Sequence, residues 1–151
     1  NNNMGVSITC RKTGRTIDMG GGGFLRLRRK VSELQGGPFH DIYEEVCSWY
    51  PGCTAEAADE FDARINARIE ELLADEDKTK RPDIKIIDFL LQTDVGGRIR
   101  YGACKNILKV IGDYDDNILY GYCGRPDCAR FADFKAILQD CVDTKSDMIW
   151  S

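Results

Sequence analysis

The chain has 151 residues and a mass of 17.0 kDa, which is the size of one ordinary domain. Hydrophobic residues make up 42% of it and charged residues 30%, which argues against a disordered chain and against a membrane protein. The net charge of −4 disfavours duplex DNA and anionic membranes as partners.

The length, composition and net charge together predict a single soluble domain over residues 1–151. No charged segment followed by an apolar segment opens the chain as in a signal peptide, so we expect a cytoplasmic location. We also expect the native chain to start at Met4, with the three asparagines before it as a cloning remnant.

The first predicted element is a β-hairpin over residues 5–19. Apolar and polar side chains alternate on either side of Gly14, and that glycine suits the turn between two strands. Four glycines at residues 20–23 interrupt the strand pattern. Apolar residues at helical spacing follow over residues 24–34, and a shorter helix is predicted over residues 39–50.

The middle of the chain predicts three further helices. Thr54 is a favourable N-cap for the longest of them, over residues 55–75. Residues 84–92 are almost wholly apolar, and we assign them to a buried helix, with a strand as the alternative. The glycine pair at residues 96–97 is expected to open the next helix.

Towards the end of the chain, residues 113–124 predict a loop or short extended stretch, and the last helix is expected to start at Pro126. The resulting fold class is mainly α within α+β. It is a bundle of five or six helices over residues 23–151 with an N-terminal β-hairpin.

Charge is unevenly distributed along this predicted bundle. Residues 1–40 carry seven basic and two acidic side chains, whereas residues 41–77 carry two basic and twelve acidic ones. Residues 78–110 carry eight basic against three acidic, and residues 111–151 carry four against eight. The blocks are expected to attract one another within the fold or between subunits. The alternative is that the two basic blocks meet and form an anion site.

The first candidate anion site lies where the glycine run enters a helix. Consecutive glycines let backbone N–H groups converge, and a helix N-terminus attracts an anion. Arginines just beyond would each donate two hydrogen bonds to a phosphate, although a solvated helix face is the simpler explanation for them. No Walker or dinucleotide motif is present. The residues assigned to this site are Gly22, Gly23, Arg26 and Arg29.

A second candidate follows the glycine pair at residues 96–97. On one helix, the basic residues of this segment would share a face with Gly102. Glycine within a helix costs about 1 kcal/mol relative to alanine, which suggests close approach of a ligand or of another helix. An aromatic side chain nearby is placed to stack on a base. The residues assigned to this site are Gly97, Arg98, Tyr101 and Lys105.

Seven cysteines are predicted to be reduced thiols, because their number is odd and most lie within apolar segments. The closest pair is Cys123 and Cys128, which are separated by four residues. A structural zinc site or a reversible disulfide at this pair is the alternative.

Three weaker motifs are better explained by a structural role than by a catalytic or binding role. Residues 113–117 resemble the start of a calcium loop, but the glycine and glutamate needed at its sixth and twelfth positions are missing. His40 beside Asp41 would suit a nucleophilic cysteine, but capping of the second helix explains the pair better. A recognition surface, or ordinary packing, would account for Tyr114, Tyr120, Tyr122 and Arg125.

Two stretches, MGVSITCRKTGRTIDMGGGGFLRLR and GGRIRYGACKNILKVIGDYDDNILYGY, resemble small uncharacterised proteins encoded by bacterial phages and mobile elements. The resemblance covers about half of the chain and contains no diagnostic motif. It implies an accessory or counter-defence factor that acts by binding, and it assigns no site residue.

The sequence therefore predicts a binding protein, not an enzyme, that holds an anionic ligand between two basic helices opened by glycines. The ligand would be a nucleotide, a phosphorylated small molecule or a short nucleic acid. One alternative is a protein-interaction or homo-oligomer surface on the acidic helix 55–75. Its exposed residues would be Glu56, Asp59, Asp62 and Glu70. Another is a thiol- or metal-dependent enzyme. No catalytic residue, metal ligand or cofactor is assigned.

Overall fold

The computed structural model describes residues 5–49, 54–115, 119–120 and 129–151. The predicted hairpin is confirmed: β1 (Gly5–Cys10) pairs antiparallel with β2 (Thr16–Gly20). Every second residue of β1 is buried, as its alternating sequence requires. Gly14 turns the chain at φ +74°, a conformation that favours glycine.

Six α-helices lie in the described part of the chain, which confirms the mainly α character of the fold. They are α1 (Gly21–Gln35), α2 (Gly37–Cys47), α3 (Ala55–Leu73), α4 (Ile84–Leu91), α5 (Tyr101–Ile111) and α6 (Phe131–Thr144). The apolar segment 84–92 is thus a helix and not a strand. Thr54 caps α3 as expected, because its Oγ1 accepts a hydrogen bond of 3.1 Å from the N–H of Ala57.

Four short strands lie in the described part of residues 23–151, the range assigned from the sequence to the helical part of the fold. They are β3 (Gly97–Ile99), β4 (Leu119–Tyr120), β5 (Ala129–Arg130) and β6 (Met148–Trp150), and β4 pairs with β5. The main sheet is antiparallel in the order β2-β1-β6-β3. In its register Trp150 is paired with Ile8 on one side and with Gly97 on the other.

The position of β3 also corrects the start of the following helix. The glycine pair 96–97 leads into a strand, and α5 begins only at Tyr101. Arg98 therefore lies on β3 and cannot share a helix face with Lys105. The last helix begins at Phe131, whereas the predicted start at Pro126 lies outside the described residues.

The core joins the sheet to the helices through aromatic contacts. The Phe24 ring of α1 lies 6.2 Å from the Phe89 ring of α4 and 5.8 Å from the Trp150 ring of β6. On the outside, α3 packs against α2, and Trp49 stacks on Phe61 at 4.1 Å between ring centroids. Within the described residues, no helix combines the length and the apolar composition needed to cross a membrane.

Candidate functional site

A cavity of about 1000 Å³ opens beside the first turn of α5. Three elements line it, because α4, β3 and α5 converge there. Its cationic side chains come from all three elements and are Lys85, Arg98, Arg100, Lys105 and Lys109. The same wall contains one carboxylate, that of Asp88, and one aromatic ring, that of Tyr101.

Hydrogen bonds fix α4 against α5 at the edge of this cavity. Asp83 caps α4, since its Oδ1 accepts a hydrogen bond of 2.8 Å from the N–H of Lys85. Its other oxygen accepts a hydrogen bond of 2.8 Å from Nδ2 of Asn106 on α5. One carboxylate thus sets both the start of α4 and its distance from α5.

The side-chain amide of Gln92 fixes β3 beside α4. Its Oε1 accepts a hydrogen bond of 3.0 Å from the N–H of Arg98, and its Nε2 donates one of 2.8 Å to the carbonyl of Arg98. Nε2 also lies 2.9 Å from Asp88 Oδ2. Because both backbone groups of Arg98 are held, its guanidinium extends from a fixed base.

The amino end of α5 carries concentrated positive charge. Arg100 is its N-cap residue and makes no side-chain capping hydrogen bond, and the first turn contains no acidic residue. Lys85 Nζ lies only 3.1 Å from the position that a Cβ atom on Gly102 would occupy. An ammonium group therefore sits against the positive end of the helix dipole, an arrangement that is unfavourable unless an anion is present.

Most of the cavity's cations have no acidic partner. The exception is Arg98, whose Nε lies 3.7 Å from Oδ2 of Asp147. That carboxylate is shared with Arg11 at 3.8 Å. Within the described part of the chain, no ion pair involves the side chains of Lys85, Arg100, Lys105 or Lys109.

Of the two predicted groups of site residues, only the second reaches this cavity. Arg98, Tyr101 and Lys105 line it, whereas Gly97 packs beneath the ring of Trp150. The first group lies elsewhere: Gly22, Gly23, Arg26 and Arg29 belong to α1 and do not line the cavity. Arg29 instead forms a bidentate ion pair with Glu44 of α2.

The amino end of α1 borders a separate cavity of about 190 Å³. Its arginine is Arg28, which is buried and donates hydrogen bonds from Nη1 to three carbonyl oxygens at the end of α4. The two basic helices therefore do not enclose one shared site. Arg28 was not among the residues assigned to the first site, although its spacing from Phe24 and Val31 places it on the apolar face of α1.

The residues assigned to the second site from the sequence did not include three cationic residues of the main cavity. Lys109 lies one helical turn after Lys105, so helical spacing alone indicates it. Arg100 directly precedes α5. Lys85 has no such signal, because its place at the cavity depends on how α4 packs on α5.

The other motifs have structural surroundings or fall outside the described residues. His40 Nδ1 lies 2.8 Å from Ser32 Oγ, and the expected capping of α2 by His40 and Asp41 is wrong, because that helix starts at Gly37 without a side-chain cap. The undescribed residues include Cys53, Tyr122, Cys123, Arg125, Cys128 and part of the calcium-like segment. In the described ranges, no group of three or more His, Cys, Asp or Glu is arranged to hold a metal ion.

No protein-family model, curated protein or solved structure matches this chain. Its function is therefore inferred from its own geometry.

Proposed function

We propose that the chain binds a phosphate-bearing small molecule, with a nucleotide as the best fit, in the cavity beside α5. One observation carries the proposal: the uncapped amino end of α5 meets the ammonium group of Lys85 over Gly102. Both groups offer hydrogen-bond donors and positive charge to the same space. An anion between them would accept from the backbone N–H groups and from Lys85 together.

The balance of charge in the cavity supports an anion with more than one negative charge. Five cationic side chains line it against the single carboxylate of Asp88. Arginine guanidinium groups contact phosphate oxygens through two N–H groups, and the lysines add mobile point charges. The described lining contains no histidine, cysteine or serine, so these residues support binding more directly than covalent chemistry.

The shape of the cavity favours a nucleotide over a simple sugar phosphate. Tyr101 is the first residue of α5 and is 42% exposed, so a face of its ring is accessible beside the phosphate donors. Stacking of a base on an aromatic ring contributes about 1–3 kcal/mol. The cavity volume of about 1000 Å³ is at the upper end of the usual range for small-molecule sites.

The proposal is tested by binding measurements on two matched double variants. Lys85→Ala with Lys105→Ala removes two cavity lysines. Lys78→Ala with Lys80→Ala removes two exposed lysines of the same basic block that do not line the cavity. Thermal shift and calorimetry would use nucleoside triphosphates, cyclic dinucleotides, sugar phosphates, inorganic phosphate and short single-stranded RNA, at low and high salt.

We expect a nucleotide at a hundredfold excess over its Kd to stabilise the wild-type protein by about 2.7 kcal/mol. The cavity variant should bind at least about tenfold more weakly, because each charge-assisted hydrogen bond contributes about 1.5–3 kcal/mol. The control variant should bind as the wild type does. A flat response of the wild type to every phosphate compound, or equal losses in the two variants, would contradict the site. Binding of RNA alone would replace the small molecule with a nucleic acid.

A second candidate function uses the acidic face of α3. This helix buries Phe61, Ile65 and Ile69, and its opposite face is exposed. Four acidic residues on the exposed side form no ion pair with any other described residue: Glu56, Asp59, Asp62 and Glu70. Such a face suits a basic protein surface, including the basic cavity of a second copy.

Sedimentation at low and high salt distinguishes this candidate from nucleotide binding. A salt-sensitive dimer should be lost both in Asp59→Asn with Asp62→Asn and in the cavity double variant if the acidic face occupies the cavity of another copy. That result would overturn the nucleotide site. A protein that is monomeric at low salt would remove the homo-oligomeric form of the second candidate.

A further inference from the structure

The small cavity at the amino end of α1 is lined by two opposite charges that do not pair with each other. Arg28 of α1 and Asp94, which lies between α4 and β3, are the only charged residues in its described lining. Asp94 forms no ion pair or hydrogen bond with any described residue. We propose that this cavity is a second binding site, independent of the nucleotide site, for a small zwitterion of the amino-acid class. Its carboxylate would contact Arg28 and its ammonium group Asp94.

Arg28 keeps unused hydrogen-bond donors although it is buried. Its Nη1 is occupied by the three carbonyl oxygens at the end of α4, whereas its Nε and Nη2 form no hydrogen bond with a described residue. Among the described residues, Gln35 Oε1 is the one side-chain polar atom that is fully buried without a partner. The Nε and Nη2 atoms of Arg28 therefore reach open space, which the cavity provides. These two nitrogens share one edge of the guanidinium, an arrangement that suits both oxygens of a carboxylate.

The start of α1 adds a second attraction for a carboxylate at the same place. Gly21 is the first residue of this 15-residue helix and lines the cavity. No side chain caps the helix, and its first turn contains no acidic residue. The positive end of the helix dipole is therefore not neutralised by the helix itself, and it stabilises a negative charge in the cavity beside Arg28.

The carboxylate of Asp94 decides between a simple anion and a zwitterion. It is exposed, and it lines the same cavity as Arg28 without forming an ion pair with it. A simple anion would be attracted by Arg28 and repelled by Asp94, and a simple cation would meet the reverse. A ligand with both charges on one short skeleton satisfies the two side chains together, which the protein alone does not do.

The size and walls of the cavity limit the rest of the ligand. Its volume of about 190 Å³ is below the usual range for drug-sized ligands, so it suits an amino acid and not a nucleotide. Its walls include the rings of Phe24 and Tyr43 and the side chain of Leu25. The amide of Gln92 also lines it, but that amide is already bonded to both backbone groups of Arg98. We therefore expect a short apolar side chain on the bound amino acid.

The test is a titration of the wild-type protein, followed by calorimetry and NMR, with glycine, alanine, valine, leucine and β-alanine. Each amino acid is compared with the amine that lacks its carboxylate and with the acid that lacks its ammonium group. For valine these analogues are isobutylamine and isovalerate. We expect at least one amino acid to bind about tenfold or more tightly than both of its analogues, a difference of about 1.4 kcal/mol.

Variants assign each charge of the ligand to its partner. Asp94→Asn should weaken the amino acid about tenfold or more and leave the acid analogue bound no more weakly than before. Asp62→Asn on α3 is the matched control, because it removes the same charge from an exposed residue that does not line the cavity. Arg28→Lys keeps the charge but loses the paired N–H groups, so it should weaken both the amino acid and the acid analogue. The double variant Lys85→Ala with Lys105→Ala should bind the amino acid as the wild type does.

Three results would overturn this site: no binding of any amino acid in the panel up to its solubility limit, an acid analogue that binds as tightly as its amino acid, or equal losses in Asp94→Asn and Asp62→Asn. Loss of amino-acid binding in the Lys85 and Lys105 variant would place the ligand in the other cavity and overturn it as well. Asp94→Asn keeps the test decisive if Arg28→Lys fails to fold, because Asp94 is exposed and pairs with no described residue. Failure of this site leaves the nucleotide site standing, since the two use different residues.

Discussion

Arg28 illustrates how one residue can organise the core of this molecule. It is only 5% exposed, and its Nη1 lies 2.9 Å from the carbonyl oxygen of Leu90 and 2.5 Å from that of Gln92. Its guanidinium carbon lies 4.1 Å from the centre of the Phe24 ring. Because no carboxylate pairs with it in the described residues, the carbonyl end of α4 supplies the compensating negative potential.

Replacing Arg28 with methionine should therefore destabilise the protein. The variant keeps the apolar stem but leaves the carbonyl groups at the end of α4 without a donor, and hydrogen bonds from a charged group contribute about 1.5–3 kcal/mol. We expect the free energy of unfolding in urea to fall by about 2 kcal/mol.

Arg29→Met serves as the control, since the side chain of Arg29 is exposed and, among the described residues, forms an ion pair only with Glu44. Exposed ion pairs contribute about 1 kcal/mol or less, so this variant should change stability little. Equal stability of Arg28→Met and the wild type would show that burying the charge costs as much as its hydrogen bonds return.

At the scale of elements, the short strand β3 depends on a glycine beneath an aromatic ring. A Cβ atom on Gly97 would lie 2.1 Å from Cζ2 of Trp150, a distance at which the ring must move. Trp150 is held in turn by a hydrogen bond of 2.9 Å from its Nε1 to the carbonyl oxygen of Thr93. The pairing of β3 with β6, and with it the position of Arg98 at the cavity, therefore requires glycine at position 97.

Gly97→Ala should displace Trp150 and loosen β3. Overpacking of this kind costs about 1–3 kcal/mol, and we expect a loss of that size in urea unfolding together with a change in tryptophan fluorescence. Gly96→Ala is the matched control, because in the described structure a Cβ atom there meets only the carbonyl oxygen of Trp150, at 4.0 Å. If both variants unfold alike, close packing of Trp150 on Gly97 is not what holds β3.

The sequence predicts some helices and strands better than others. The helices α1, α3 and α5 have apolar residues at regular spacing over three turns or more, so their existence could be predicted. The strands β3 and β6 have three residues each, too few for a periodic pattern. The strand β6 also pairs with β1, which joins residues far apart in the chain, such as Ile8 and Trp150.

The sequence likewise predicts only part of the candidate site. Arg98, Tyr101 and Lys105 lie close together in sequence, so they could be found as one cluster. The glycine run that opens α1 is also followed by basic residues, but it borders a different cavity. Only tertiary packing separates the two, and the same packing brings Lys85 to Gly102.

At the scale of the whole molecule, ion pairs connect the four charge blocks, residues 1–40, 41–77, 78–110 and 111–151, to different degrees. Arg15 of the first block pairs with Asp140 of the last at 2.7 Å, and Arg29 pairs with Glu44 of the second block. Within the second block, Arg64 and Arg68 pair with Glu45 at 3.2 and 2.5 Å. The third block, residues 78–110, has only one such link in the described structure, from Arg98 to Asp147.

Three of these paired carboxylates should shape the acid limb of the stability curve. Hydrogen bonding to Arg29 lowers the pKa of Glu44, hydrogen bonding to Arg68 and Arg64 lowers that of Glu45, and hydrogen bonding to Arg15 lowers that of Asp140. A carboxylate whose pKa is lower in the folded state stabilises the fold above its ordinary pKa. This contribution disappears as the pH falls through the lowered value.

Glu44→Gln, Glu45→Gln and Asp140→Asn together should therefore lower stability modestly at neutral pH and flatten its decline below about pH 4.5. The control is Glu56→Gln, Asp59→Asn and Asp62→Asn, which removes the same charge from α3 residues that form no ion pair in the described structure. Urea unfolding at a series of pH values measures both. If the two variants flatten the acid limb equally, the overall charge, and not the pairing between elements, controls acid unfolding.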